Sequence, residues 1–243
     1  METLLQHRSI RKFTDKAIAE EDLDLILRAA AQASNTGNMQ WYSIIVTTNP
    51  ALKHALCAQA HFNQNMVEQA PVLLTFCADL QRFTQWCELN NAKPEYNNFL
   101  SFYTATIDAA IAAQNACVAA EKLGLGICYL GTTNYNAQQI IDILELPALV
   151  VPVTTVVLGY AAEEAPLTGR LPQRAVVHRE HYQPFSDAEI RELYAEREKE
   201  SQQFVVDNAV ENLAQVFTKK RYAGANNRTF TQKLLDVIAK QGF

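Results

Sequence analysis

The chain has 243 residues, of which 49% are apolar and 19% are charged, and its formal net charge is −5. These values fit a soluble enzyme of one large domain or two small ones. The acidic balance argues against broad binding to nucleic acid or to anionic membranes. Five widely spaced cysteines without a CxxC pair predict buried thiols in a reducing, cytoplasmic compartment, and the polar first residues predict no secretory signal.

Hydrophobic patterning predicts helices alternating with strands over the first 160 residues. An acidic first turn and helical spacing predict a helix over 17–34. Asn49 followed by Pro50 predicts the capped start of a second helix. Strands are predicted at four β-branched or apolar runs, which are 41–48, 71–80, 127–131 and 149–160. Pro152 places the start of the last strand at an edge or a bulge.

The longest helical run covers residues 99–126, and it is rich in alanine and apolar on more than one face. It therefore predicts a helix in the middle of the protein or across a subunit interface, with Gly124 as the C-cap. A further helix is predicted at 136–146. The region after 161 is a long connection with proline and glycine, and the polar tail from 186 predicts surface helices. The pattern as a whole predicts an α+β fold with a central sheet.

The stretch HRSIRKF, residues 7–13, concentrates cations in an acidic protein. Arg8 and Arg11 with Ser9 between them offer the planar donors and the hydroxyl that a phosphate binds. Arg170, in the long connection, could converge on the same phosphate. A solvated charged face is the alternative that composition leaves open.

Motifs for other chemistries are absent from the sequence. It contains no Walker A motif, no GxGxxG and no GxSxG, and the glycines of GLGICYLG at 124–131 have the wrong spacing for a nucleotide loop. The histidines of HREH at 178–181 are not spaced as zinc ligands on a helix, so no metal site is predicted. An organic cofactor that carries a phosphate is therefore the expected ligand.

Three motifs in order carry a resemblance to a known family: HRSIRKF near the start, GLGICYLG after the alanine-rich helix, and GRLP followed by HREHYQP. In these the chain resembles the flavin-dependent nitroreductases, in the branch of oxygen-insensitive NADPH nitroreductases and flavin reductases. The resemblance implies a mostly antiparallel sheet flanked by helices and an intertwined homodimer that shares its active sites. It also implies an FMN-binding core over 1–185 and a helical extension over 186–243 that wraps the surface or the partner.

The resemblance further implies non-covalent FMN, and NADPH or NADH as the donor. Hydride would pass through FMN N5 to nitroaromatics, quinones or flavins in a ping-pong sequence, with no metal and no catalytic side chain. Carried over by position, the cofactor-binding residues are His7, Arg8, Ser9, Ile10, Arg11, Asn35, Gln64, Tyr129, Leu130, Gly131, Thr132, Thr168 and Arg170. Arg11 would tune the flavin, because a fixed cation favours the more negative reduced form.

Two departures from the family pattern bear on ligand binding. Thr168 stands where related enzymes often have lysine, so one cation is missing and FMN could bind more weakly. The basic run at 219–221 could meet the 2′-phosphate of NADPH, or it could be an exposed helix end. Two other functions remain open from sequence: a flavin store or sensor with little turnover, and a specialised family member such as a dehalogenating enzyme.

Overall fold

A computed structural model of the chain describes residues 1–243. Four strands form its sheet: β1 (Tyr42–Thr47), β2 (Val72–Asp79), β3 (Gly126–Leu130) and β4 (Val150–Gly159). The α-helices are α1 (Glu2–Leu5), α2 (Glu20–Ala31), α3 (Pro50–Ala55), α4 (Asn65–Gln69), α5 (Gln81–Leu89), α6 (Phe99–Lys122), α7 (Ala137–Leu144), α8 (Asp187–Glu200), α9 (Gln202–Asp207), α10 (Leu213–Gln215) and α11 (Gly224–Lys240). Two segments, Leu56–Ala60 and Val216–Arg221, are π-helical turns.

The strands are arranged in the order β1-β2-β4-β3, and all three neighbouring pairs are antiparallel. The sheet thus leaves β1 and β3 at its two edges. The register of β2 on β4 shifts at Phe76 and Cys77, where the partners pass from Thr154 to Pro152. The proline therefore lies at a bulge of a central strand, which is one of the two places its missing N–H allows.

Helices cover both faces of the sheet, and alternate strand residues point toward one face or the other. Leu74 and Phe76 pack with α2 and α6 on one face. Leu73, one residue away, packs on the other face in a cluster that includes residues of the π-helical turn, α4 and α7. The predicted α+β class, with an antiparallel sheet flanked by helices, is confirmed.

Local sequence signals mark several element ends correctly. The Asn49 side chain accepts hydrogen bonds from the backbone N–H groups of Ala51 and Leu52, at 2.9 and 3.2 Å. Gly124 follows the end of α6 with φ +81°, the left-handed conformation that glycine adopts without strain. The helix α5 was not among the predicted elements.

The chain divides into two compact units, one of residues 1–166 and 230–243, the other of residues 167–229. The predicted domains, an FMN-binding core over 1–185 and an extension over 186–243, have other bounds than these compact units, and they stay a prediction. The end of the chain belongs to the first unit, where Val237 is buried in a cluster with Val151 of β4. No helix is both long and apolar enough to cross a membrane.

The close approach of the N-terminal loop to β3 generates a stability prediction. A Cβ on Gly126 would lie 2.6 Å from Cγ1 and 2.7 Å from Cβ of Ile10. We expect Gly126→Ala to lower the free energy of unfolding by about 1–3 kcal/mol, because the overpacked loop must shift. Urea unfolding measures this change. Gly131→Ala is the matched control, since no atom beyond the adjoining residues lies within 4 Å of its Cβ position. Equal losses in both variants would contradict the explanation.

Candidate cofactor site

The N-terminal loop is held in place by its backbone. Ser9 forms a parallel bridge with Ile127 of β3, and the Ile10 N–H donates to the Ile127 carbonyl at 2.9 Å. The N–H groups of Arg11 and Lys12 both donate to one carboxylate oxygen of Glu163, at 2.7 and 3.1 Å. The loop thus joins the sheet edge while its cationic side chains remain available for a ligand.

His7 at the start of this loop contacts the end of α6. Its Nδ1 lies 2.6 Å from Oε1 of Glu121, and both side chains are partly buried. This contact uses the histidine of the motif to position the loop against α6. The sequence assigned His7 to FMN binding, and that role stays a prediction.

Arg8 and Arg11 are exposed, and neither guanidinium forms an ion pair or a hydrogen bond. Arg8 lines a cavity of about 620 Å³ beside Lys122 and Gly126. Arg11 lines a different cavity, of about 360 Å³, together with Gln64. The two cations therefore border separate hollows on the loop, rather than one shared pocket within this unit.

The segment 129–132 covers the last two residues of β3 and the two residues that follow, and it contacts Gln64, which lines the same hollow as Arg11. Leu130 is buried, whereas Tyr129 is 37% exposed and its hydroxyl lies 3.3 Å from Oε1 of Gln114 on α6. The backbone of Gly131 borders open space. Thr132 is linked to Gln64 by a 3.2 Å hydrogen bond from the glutamine amide. Four residues that the sequence grouped thus follow one another at the end of an edge strand, and Gln64 joins them.

The Arg11 charge also acts on a side chain of β3, the Cys128 thiol. Burial raises the pKa of the Cys128 thiol, and the nearby Arg11 guanidinium partly offsets that rise. The cation therefore lies close to β3, whose last two residues begin the 129–132 segment. A positive charge at this place suits a ligand that carries or gains negative charge.

His61, which no sequence pattern indicated, contacts the predicted site residue Thr132. Its side chain is fully buried, and its Nδ1 lies 2.8 Å from the Thr132 hydroxyl. Burial lowers its pKa from 6.5 to about 4, so the imidazole is neutral at pH 7. Its partner is 71 positions away in sequence, which is why no local pattern indicated it.

Asn35 lies far from the N-terminal loop within one chain. The backbone N–H of the adjacent Thr36 donates to Asp108 of α6, whereas His7 contacts Glu121 of the same helix. Thirteen residues of α-helix separate these two contacts by roughly 20 Å. The Asn35 side chain instead closes its own turn, accepting from the Gln40 N–H at 3.1 Å.

The remaining predicted residues belong to the second unit. The Arg170 guanidinium donates to the Thr168 carbonyl at 2.8 Å, so the two residues form a local turn contact. Their assignment to the phosphate stays a prediction. In the basic run, Lys219 donates to Gln215 and the Arg221 guanidinium lies over the Phe204 ring. All three basic residues of the run are exposed.

Comparison with known proteins gives a consistent result. The sequence model described as "Nitroreductase family" matches residues 4–160. The "FMN reductase (NADPH)" of Bacillus subtilis is 38% identical over 192 residues, which are 77% of this chain and 76% of that protein. The "Oxygen-insensitive NADPH nitroreductase" of Salmonella typhimurium is 32% identical and covers 100% of this chain and 97% of its own length. A crystal structure from Bacteroides fragilis is 45% identical with TM-score 0.97, covering 100% of this chain and 99% of that one.

The buried neutral His61 predicts a loss of stability in acid. Between pH 6.5 and about 4 the unfolded chain binds a proton at this residue that the native chain does not. The free energy of unfolding should fall on acidification by up to about 1.4 kcal/mol per pH unit, or about 3 kcal/mol in all. This contribution is fully present above pH 6.5.

Urea unfolding at several pH values measures that slope. His61→Asn removes the titrating group and keeps an amide near the position of Nδ1, so we expect a flatter pH dependence than in the wild type between pH 6.5 and 4. Parallel curves for the two proteins would show that His61 does not contribute.

Proposed function

The chain belongs to the nitroreductase family, and we propose that it is an FMN-dependent NAD(P)H oxidoreductase that reduces flavins, nitroaromatics or quinones. The observation that carries the proposal is the unpaired Arg11 guanidinium beside Gln64, next to the 129–132 segment. The names of the two curated relatives, "FMN reductase (NADPH)" and "Oxygen-insensitive NADPH nitroreductase", support this chemistry and favour NADPH as the donor.

The residues present fit FMN. Arg8 and Arg11 have no partner in the protein that would compete for an anion, and they border separate hollows on the loop, so one FMN that contacts both must extend from one hollow to the other. The backbone at Gly131 has open space where a side chain would stand, so a flat ring can approach it closely. Gln64 and Thr132 supply amide and hydroxyl groups that hydrogen-bond polar ring atoms.

Each part of the site has a separate task in the proposed reaction. Bound FMN would supply the ring that takes hydride from NAD(P)H and passes it to an acceptor. Arg11 holds a fixed positive charge that favours the more negative reduced form of the cofactor. The loop and the 129–132 segment orient the two reactants, and no protein acid or nucleophile is required.

The proposal is tested with the purified full-length chain under anaerobic conditions. We expect a yellow protein whose flavin absorbance bleaches rapidly with NADPH. Arg8→Ala and Arg11→Ala should each weaken FMN binding by roughly 1.5–3 kcal/mol, or about 10- to 150-fold, because a charged contact is lost. FMN titration followed by fluorescence quenching measures the affinity.

Arg28→Ala is the matched control, since Arg28 is an exposed arginine paired only with Asp24 on its own helix. It should bind FMN like the wild type. Unchanged FMN affinity in both loop variants would reject the assigned pocket. Tight FMN binding with slow reduction by NADPH and NADH would instead indicate a flavin store or sensor.

The proposed function includes a homodimer. One face of α6 carries four exposed apolar residues at helical spacing. They are Leu100 (72% exposed), Tyr103 (54%), Ile107 (42%) and Ile111 (38%). Gln114 continues this face and contacts Tyr129 of the candidate site. A second copy on this face would cover the apolar stripe. It would also explain how Asn35, roughly 20 Å from the loop of its own chain, could contribute to FMN binding.

Ile107→Glu tests this face by placing a charge in the stripe. We expect the dimer to dissociate and FMN affinity to fall with it, because burying an unpaired carboxylate is unfavourable. Sedimentation velocity measures the change. Leu52→Glu is the control: Leu52 is 39% exposed on α3, and it should leave the dimer intact. A stable wild-type monomer that binds FMN and turns over would contradict the proposal.

A further inference from the structure

The segment that carries His61 has an unusual backbone. Leu56–Ala60 is a π-helical turn, closed by a 3.0 Å hydrogen bond from the His61 N–H to the Leu56 carbonyl. The next two residues, Phe62 and Asn63, have φ values of 52° and 55°. π-Helical turns and left-handed non-glycine residues raise the energy of a chain locally, and they concentrate at functional sites. Here they turn the His61 side chain inward and bring Gln64 back to the site.

Two side chains of this segment, those of His61 and Gln64, contact the same hydroxyl group, that of Thr132. Oγ1 of Thr132 lies 2.8 Å from Nδ1 of His61 and 3.2 Å from Nε2 of Gln64. The segment is held from outside as well, because the Asn136 amide donates to the Ala60 carbonyl at 2.8 Å. The strained loop thus has a fixed position relative to the turn that follows β3.

The other nitrogen of His61 decides the direction of this hydrogen bond. Nε2 is buried and has no partner. If it carried the proton, an N–H would be buried without an acceptor, which is the rarer and more costly arrangement. We therefore assign the proton to Nδ1, which then donates to Thr132.

This assignment leaves the proton of the Thr132 hydroxyl free to form a hydrogen bond. With Nδ1 of His61 protonated and the Gln64 amide assigned with its nitrogen toward Thr132, the Thr132 oxygen accepts from both residues, so both of its lone pairs are engaged. Its own proton has no acceptor among the protein groups at the site. The hydroxyl must therefore donate to a group outside this network, in a direction set by two buried or partly buried donors.

We propose that His61 is a positioning residue: through the Nδ1 contact it makes Thr132 a directed hydrogen-bond donor to an acceptor atom of the bound FMN. The inference rests on the proposed function and extends it to a residue that does not touch the cofactor. Thr132 provides the contact with the cofactor, and Gln64 helps to fix the direction of its hydroxyl. The π-helical turn and the two left-handed residues that follow it hold the imidazole beside Thr132.

The experiment is a double-mutant cycle on the full-length chain freed of flavin and titrated with FMN. His61→Gln moves the amide one carbon beyond the Nδ1 position, and Thr132→Val removes the hydroxyl at constant shape. We expect each variant to bind FMN about threefold to tenfold more weakly, as for one lost hydrogen bond. The double variant should be no weaker than the weaker single one, because both changes remove the same interaction.

Two rescue variants separate positioning from general structural damage. The amide nitrogen of His61→Asn is bonded to Cγ, as Nδ1 is, so it should restore FMN affinity to within about twofold of the wild type. Thr132→Ser should do the same. The midpoint potential of the bound FMN, measured by dye equilibration, should shift in the same direction in His61→Gln and Thr132→Val and return in both rescue variants.

Independent, multiplying effects of the two substitutions would overturn the inference, as would wild-type affinity and potential in His61→Gln. Failure of the wild-type chain to bind FMN would reject the proposed function and this inference together. Wild-type binding with unchanged variants would reject the inference alone, so the two failures are distinguishable.

Discussion

The pairing of the N-terminal loop with the edge strand β3 is the interaction on which the candidate site depends. An edge strand offers unpaired backbone groups, and here Ile10 and Ser9 take up that position. Gly126 allows the approach, because a Cβ there would overlap Ile10. The loop backbone is thereby held against the sheet by hydrogen bonds, and the Arg11 side chain projects from it without a protein partner.

The site separates groups that hold the protein together from groups that are free to act. Backbone N–H groups of the loop are satisfied by β3 and by Glu163, whereas the Arg8 and Arg11 side chains have no protein partner. Fixed charges of this kind need no reorganisation when charge develops on a ligand. The strained segment at 56–63 applies the same principle to neutral groups, since it holds His61 against Thr132 without exposing the imidazole.

Elements that depend on local sequence could be predicted, whereas relations between distant segments could not. The four strands, the long α6 and the Asn49 cap follow from periodicity and from side chains that bond their own backbone. The pairing of His61 with Thr132 and the roughly 20 Å between Asn35 and the loop depend on tertiary packing alone. The polar composition of the tail likewise gave no sign that its last residues, around Val237, return to the core of the first unit.

A structure of the full-length chain with bound FMN tests the central claim most directly. The account predicts the cofactor beside the N-terminal loop and the 129–132 segment, with Arg11, Gln64 and Thr132 in contact with it. FMN bound elsewhere on the chain, with these three residues unchanged and solvent-facing, would contradict the account.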